Sequence, residues 1–395
     1  MNEMAELRYD FFAPQQIVFG WGRRSEIGAH AAHLGRRAFV VEGSRTLKAA
    51  GVMDEIAAAL RAAGVEPLTL GAISHEPEVT DVDRAAKKLR ELGAGQGDLL
   101  VAVGGGSAID LAKAASAMAV NRESETVKDY LEGVGRGLKL VERPLPLAAM
   151  PTTGGTGTEA TKNAVISSYD PPFKKSLRSE WMVPKLVLVD PELSIHVPPT
   201  TTAWTGMDAI TQLIESYVCR FARPIPQALA LDGLRRALPA LAVAVKDGRS
   251  RPARESMAHA AFLSGMALAN SGLGLAHGVA AALGVTARVP HGLACAAMLP
   301  VALRVNREVS QSRLAELARA TLGGASASDA AAAEAFIERI DRLAEEVGVP
   351  KRLGELGVRR EQIPELVRGS RGNSMNGNPR QLDDEELTQL LEDLL

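Results

Sequence analysis

A change of texture near Pro191 constrains this chain more than any other feature. Before it, short β-branched runs alternate with amphipathic helical segments. After it, Ala, Leu and Gly recur at helical spacing to the C-terminus and β-branched runs almost vanish. Arg37–Glu42 (RAFVVE) reads as a strand, and Gly51–Gly64 as a helix ended by glycine. Pro67–Leu70 reads as a second short strand, and Thr80–Leu92 as a helix with Thr80 or Asp81 near its N-cap. Asp98–Val103 (DLLVAV) reads as a buried strand that passes at once into glycines and another helix. Strands alternating with helices at this spacing predict a parallel, doubly wound α/β sheet. Asp190-Pro191-Glu192-Leu193 is a natural hinge, because the residue before proline resists helix. With 395 residues the chain is too long for one ordinary core. The expectation is an α/β domain over residues 1–190 and an all-helical domain over 191–395.

Composition removes several classes of partner. The net charge is −2 and no basic tail or patch is present, so nucleic acid is not an expected partner. Cys219 and Cys295 cannot form a disulfide framework and read as free thiols in a reducing compartment. The N-terminus, MNEMAELRYDFF, carries acidic residues and no apolar h-region, so no secretory signal is expected. Gly265 to Val285 is nearly uncharged and as long as a membrane span. Its five glycines, with Asn270, Ser271 and His277, read instead as a buried helix–turn–helix. No membrane partner is expected, and the expected location is cytoplasmic.

The segment Gly104-Gly105-Gly106-Ser107-Ala108-Ile109-Asp110-Leu111-Ala112-Lys113 stands where the buried strand ends and a helix begins. Unpaired backbone N–H groups and the helix dipole attract phosphate there, and glycines permit close approach. Ser107 is placed to cap the helix or to donate to a phosphate oxygen. Asp110 and Lys113, one turn apart, either orient the helix or line the cleft. Taken alone, the segment could also be a plain glycine turn. Gly20-Trp21-Gly22 lacks a third glycine at fingerprint spacing and reads as a turn. A second polar loop, Pro151-Thr152-Thr153-Gly154-Gly155-Thr156-Gly157-Thr158-Glu159, suits either a cofactor wrap or a solvated surface turn.

Two of the seven histidines stand in a suggestive context. His277 follows Gly272-Leu273-Gly274-Leu275-Ala276, and His291 follows Val289-Pro290. Asp208 and Gln212 are four apart in a helix-like segment and face the same way. Together these four residues offer two imidazoles, one carboxylate and one amide to a metal; spacing alone leaves structural histidines as the alternative. Elsewhere, His30 and His33 read as solvated, His75 and His259 as lacking clustered partners, and His196 as a packing residue in the hinge.

GGGSAIDLAK and PTTGGTGTEAT resemble the two cofactor loops of iron-containing (group III) alcohol dehydrogenases. The likeness runs through FAPQQIVFGWG, LVDPELSIHVPP, TGMDAITQLIESY, GLGLAHG, VPHGLACAAMLP and NPR, in order, along nearly the whole chain. It implies a Rossmann-like N-terminal domain and a helical C-terminal domain, in a dehydroquinate synthase-like architecture with the active site between them. It also implies that Gly104, Gly105, Gly106 and Ser107, with Asp110, hold the pyrophosphate of NAD or NADP. Thr152, Thr153 and Thr156 would lie along the cofactor, with Lys174 at or next to a basic contact. Gly43 falls nearest the position where many NAD-preferring relatives have an aspartate for the ribose. Gly43 removes a charge that would repel a 2′-phosphate, and Ser44 and Arg45 could bind one; Glu42 could instead serve the ribose of NAD.

In the family a divalent metal is held by an aspartate, a histidine four residues on, and two later histidines. Asp208, His277 and His291 match three of these positions as metal-binding and catalytic residues. Gln212 departs from the fourth, as a weak, neutral, hard ligand; Fe(II) or Zn(II) is the expected metal. Many relatives carry a further histidine, proposed to move protons, where this chain has Ala281. Trp204 replaces a usually small residue, and either narrows the cleft or belongs to the core. The implied activity is NAD(P)-dependent hydride transfer between the nicotinamide and a small alcohol or aldehyde, by a homodimer or larger homo-oligomer. Two alternatives stay open. One is a metal-independent reductase of an acidic carbonyl substrate, resembling maleylacetate or phosphonoacetaldehyde reductases, in which Gln212 donates a hydrogen bond to the substrate. The other is a cofactor-binding protein without turnover.

Overall fold

The computed structural model describes residues 8–43, 45–323 and 328–395. Ser44, expected beside the cofactor, lies outside the described residues. Eight strands precede the hinge: β1 Gln16–Phe19, β2 Arg37–Glu42, β3 Glu66–Ala72, β4 Asp98–Gly104, β5 Leu147–Pro151, β6 Asn163–Tyr169, β7 Pro172–Arg178 and β8 Leu186–Val189. A six-stranded sheet runs in the order β1-β8-β5-β4-β2-β3, and every neighbouring pair in it is parallel. β6 and β7 form a separate antiparallel pair.

The sheet is buried on both faces, as parallel sheets are. Along β4, Leu99, Val101 and Val103 enter a core with Met53, Ile56 and Leu60 of the helix Val52–Ala62. Leu100 and Ala102 point the other way, into a core with Val82, Ala86 and Leu89 of the helix Val79–Glu91 and Ile109 of the helix Gly106–Val120. Helices on both faces make the sheet doubly wound, as the alternation predicts. Local details differ from the reading. The Val79–Glu91 helix is capped by Glu78 rather than Thr80 or Asp81; Asp81 is the third helical residue and closes a capping box by accepting from the Glu78 N–H at 3.0 Å. The second strand extends to Glu66–Ala72 because it pairs with β2 through a bulge between Val40 and Val41.

Every regular element described after Val189 is helical. Asp190 caps the turn Pro191–Ser194, and its carboxylate also accepts from the N–H groups of Gly22 and Arg24. Gly20-Trp21-Gly22 is thus a turn, with Gly22 left-handed at φ 75°. Gly265 to Val285 is a buried helix–turn–helix, formed by the end of Arg251–Ala269 and by Leu275–Thr286. Among the described residues no helix is long and apolar enough to cross a membrane.

The sheet and the helical bundle share one core. Leu186 and Leu188 of β8 face the N-terminal helices, while Val187 and Val189 pack with Met207, Ile210 and Ala203 of the helix Pro199–Val218. Gly157 and Gly265 bring the two parts into backbone contact: a Cβ on Gly265 would lie 1.9 Å from the Gly157 carbonyl oxygen. Trp204 is half-buried and packs against two cores of the helical part, so its ring belongs to the packing. His33 is exposed and His30 half-buried. His196 is exposed rather than packed, and His75 and His259 do have partners, Asp81 at 2.8 Å and Asp232 at 3.4 Å.

Candidate active site

β2, β4 and β5 are adjacent and end side by side, on either side of the point where the strand order reverses, where open α/β sheets bind ligands. Gly43 follows β2, Gly104 ends β4, and Thr152 follows β5. A Cβ on Gly104 would lie 2.8 Å from the Gly43 Cα, so these two glycines allow the strand ends to meet. Glu42, the last residue of β2, is buried and 3.8 Å from Lys48. The helix Gly106–Val120 has Gly105 as its N-cap, and no side chain caps its first turn. Ser107 stands half-buried in that turn. The threonine loop faces it: a Cβ on Gly105 would lie 3.1 Å from Thr153 Oγ1, and one on Gly106 2.8 Å from Thr156 Oγ1. Uncapped N–H groups opposite a row of hydroxyls, with no Cβ between them, fit a dinucleotide pyrophosphate.

Asp110 and Lys113 turn away from this groove and staple it from beneath. Asp110 accepts from Thr158 Oγ1 and from the Val165 N–H. The buried Lys113 ammonium donates to the carbonyls of Thr158, Thr161 and Asn163. Lys174, on β7, holds both oxygens of Glu76 at 2.7 and 2.8 Å.

The helix Pro199–Val218 brings Asp208, Gln212 and Glu215 to one face, at four- and seven-residue spacing. His277 lies in the first turn of Leu275–Thr286, and His291 opens the helix His291–Asn306. One donor atom from each of Asp208, His277, His291 and Cys295 lies within 4.8 Å of the others. His277 Nε2 is 3.2 Å from Asp208 Oδ1, and its Nδ1 is 2.7 Å from Glu215 Oε2. Glu215 also accepts from the Ala276 N–H at 2.8 Å. Because a carboxylate only accepts, Glu215 keeps a proton on Nδ1 and aims Nε2 at the cluster. His291 Nδ1 is buried without a partner, and His291 Nε2 is 3.6 Å from Cys295 Sγ. Gln212 is turned elsewhere: Nε2 donates to the Thr156 carbonyl at 3.1 Å, and Oε1 accepts from Ser264 Oγ at 3.1 Å.

Asp208 and His291 are held in forms that can ligate a cation, whereas His277 and Cys295 must each release a proton to do so. Burial works to raise Asp208, but its hydrogen bond from His277 and the charge of the imidazoles hold it below the usual carboxylate range. Burial opposes charge on His277, yet Cys295, Asp208 and Glu215 outweigh it and the ring titrates well above the ordinary value. Burial and the Lys174 ammonium bring His291 down to about 4, leaving a neutral donor. Burial pushes the Cys295 thiol up to about 12, with His277 acting against it. An ionised carboxylate, a neutral imidazole with an orphaned nitrogen, a second imidazole oriented by a carboxylate, and a buried thiol form a donor set that fits a divalent ion.

Asp208, His277 and His291 thus converge, and Gly105 and Gly106 stand opposite Thr153 and Thr156, whereas Asp110 and Lys174 of the expected cofactor residues are engaged elsewhere. Cys295 and Glu215 were not singled out as site residues. Each is legible in retrospect by helical spacing: Cys295 lies four residues after His291, and Glu215 seven after Asp208.

A family model described as iron-containing alcohol dehydrogenase matches residues 14–191. Another, described as the Fe-containing alcohol dehydrogenase family, C-terminal, matches residues 202–395. The chain is 31% identical over 389 residues to the NAD-dependent methanol dehydrogenase of Bacillus methanolicus, covering 98% of this chain and 100% of that protein. It is 33% identical over 397 residues to the 1,3-propanediol dehydrogenase of Klebsiella pneumoniae, covering 98% and 99%. A crystal structure of a 1,3-propanediol oxidoreductase matches with a TM-score of 0.91 at 30% identity, covering 98% of this chain and all of that one, 100%.

Proposed function

The chain belongs to the iron-containing alcohol dehydrogenase family and is an NAD(P)-dependent oxidoreductase acting on CH–OH groups, and from that premise we propose how its residues divide the work. Residues 1–190 bind the dinucleotide, and residues 191–395 bind the metal and a small alcohol or aldehyde. The backbone N–H groups from Gly104 to Ser107 hold the pyrophosphate, with Gly43 clearing room at the strand end. Thr152, Thr153 and Thr156 line the path of the cofactor, and Asp110 and Lys113 act from below by fixing both loops. Asp208, His277 and His291 hold the divalent ion. When bound, the nicotinamide exchanges a hydride with the substrate carbon and the metal acts as a Lewis acid on its oxygen.

The observation that carries this reading is the Gln212–Thr156 hydrogen bond. It ties the helix bearing Asp208 to the loop that faces the glycine turn, so metal site and cofactor groove share one wall. Glu215 positions His277, and the shared core keeps water from the groove floor. At position 281 alanine offers no imidazole, so a water, a cofactor ribose hydroxyl or a group of the substrate would have to carry the alcohol proton. The working form is a homodimer or larger homo-oligomer in the cytoplasm. The test is transfer of label from cofactor deuterated at C4 to an aldehyde panel. Deuterium on the carbinol carbon of the product alcohol is the expected result; cofactor binding with no transfer to any member contradicts the reading.

A further inference from the structure

We infer that Cys295, rather than Gln212, is the fourth ligand of the divalent ion, completing a site of one carboxylate, two imidazoles and one thiolate. The inference rests on the metal-assisted reading above and specifies its ligand set. Gln212 is on the correct helix face, but its amide is anchored through Nε2 to the Thr156 carbonyl, and its Oε1 sits 3.1 Å from Ser264 Oγ, which shares its one proton with the Ala261 carbonyl. Turning Oε1 to a metal would break both contacts and release the threonine loop from the helix. Cys295 is fully buried, and its Sγ already lies in the cluster with Asp208, His277 and His291.

Two separations within the cluster are close to those of a four-coordinate ion, and all four donors lie within 4.8 Å of one another. Metal–ligand bonds of about 2.0–2.3 Å at tetrahedral angles place neighbouring donors roughly 3.3–3.8 Å apart. Here His277 Nε2 and Asp208 Oδ1 are 3.2 Å apart, and Cys295 Sγ and His291 Nε2 3.6 Å. His291 and Cys295 are successive-turn neighbours on one helix, so their approach is set by the helix itself and needs no rearrangement. On binding, one sulfur–metal bond forms and the thiol proton passes to solvent. A thiolate also changes the preferred ion: an amide oxygen would have made the site harder, whereas sulfur makes it softer and favours Zn(II) over Fe(II).

The full-length protein, stripped of metal and titrated with Co(II), tests this. Thiolate ligation gives Co(II) an intense near-ultraviolet charge-transfer band that oxygen and nitrogen donors do not give. Wild type and Gln212→Ala are expected to show the band at one equivalent. Cys295→Ser is expected to lose it and to bind Co(II) more weakly, by more than the roughly 10–100-fold that loss of an outer-shell partner brings. Zn(II) X-ray absorption on the unmutated protein reads the same point without any variant: a sulfur scatterer at about 2.3 Å supports the assignment. Bound metal with only nitrogen and oxygen scatterers, or a band that survives in Cys295→Ser, overturns Cys295 while leaving metal-assisted catalysis standing. No metal uptake at all, with carbonyl reduction unchanged after stripping, overturns both.

Discussion

At Glu159 and Lys113 two ionisable groups are buried beneath the cofactor groove, and the consequences are measurable. Burial, opposed by the charges of Asp110 and Glu159, brings Lys113 down to about 8. Burial pushes Glu159 up to about 7, against a backbone hydrogen bond and the Lys113 charge. From the ordinary value of 4.5 up to about 7, folded Glu159 keeps a proton that the unfolded chain has released. The folded state therefore binds more protons there, and stability falls as pH rises through that window. Glu159→Gln removes this contribution, so its stability relative to wild type, read from denaturant midpoints, is expected to grow with pH across the window. A constant difference contradicts the assignment. Glu215→Gln keeps the size of the side chain but weakens its hold on His277; metal affinity measured by chelator competition is expected to fall about 10–100-fold. An unchanged affinity would make Glu215 merely structural. At this scale the sequence was most informative where a motif named a residue, as for Asp208, His277 and His291. Cys295 read as a free thiol because a cysteine's role depends on which helices pack beside it. Gln212 read as a ligand because its position on the helix is right; only the placement of Thr156 and Ser264 shows where its amide turns.

Among the elements, β2 and β4 were legible, whereas β5 and β8, equally buried but only five and four residues long, were not read as strands. RAFVVE and DLLVAV each enclose an unbroken apolar run, Ala38–Val41 and Leu99–Val103, because β2 and β4 are covered on both faces. β1 is four residues long at the sheet edge with Gln16 and Ile17 exposed, so its pattern carries little signal. The β6–β7 pair is rich in polar residues and turns through Asp170-Pro171, and its composition resembles a loop. Besides Pro199–Val218, the helix Arg251–Ala269 supports the groove from the helical side. Its Gly265 touches the backbone of Gly157, itself in a left-handed conformation at φ 58°. Gly265→Ala wedges this helix away from the threonine loop. Stability is expected to fall by about 1–3 kcal/mol in denaturant unfolding, and cofactor affinity by fluorescence titration is expected to fall with it. Loss of stability with unchanged cofactor affinity would show that the contact serves packing alone.

For the molecule as a whole, a doubly wound sheet and a helical bundle close on one another through a shared core. Phe12 adds to this by exchanging two backbone hydrogen bonds with the Asn270 side chain, carrying the N-terminal segment onto the bundle. The change of texture at Pro191 predicts this division because the two parts bury apolar surface in different patterns, short unbroken runs in strands covered on both faces and a period of 3.6 in the bundle. The contact between them was not legible, since Val187 and Val189 face the bundle only by virtue of strand alternation in a sheet that has already formed. The arrangement places the Asp208–His277–His291 cluster of the bundle against the glycine and threonine loops of the sheet, and the central claim is that both are needed for one reaction. The direct measurement is oxidation of NADH and NADPH with short, aromatic and acidic aldehydes, comparing chelator-stripped protein with the same protein reloaded anaerobically with Zn(II) or Fe(II). Activity that disappears on stripping and returns on reloading is the predicted result. Equal activity in both states would contradict the account and leave the Asp208–His277–His291–Cys295 cluster without a part in the chemistry.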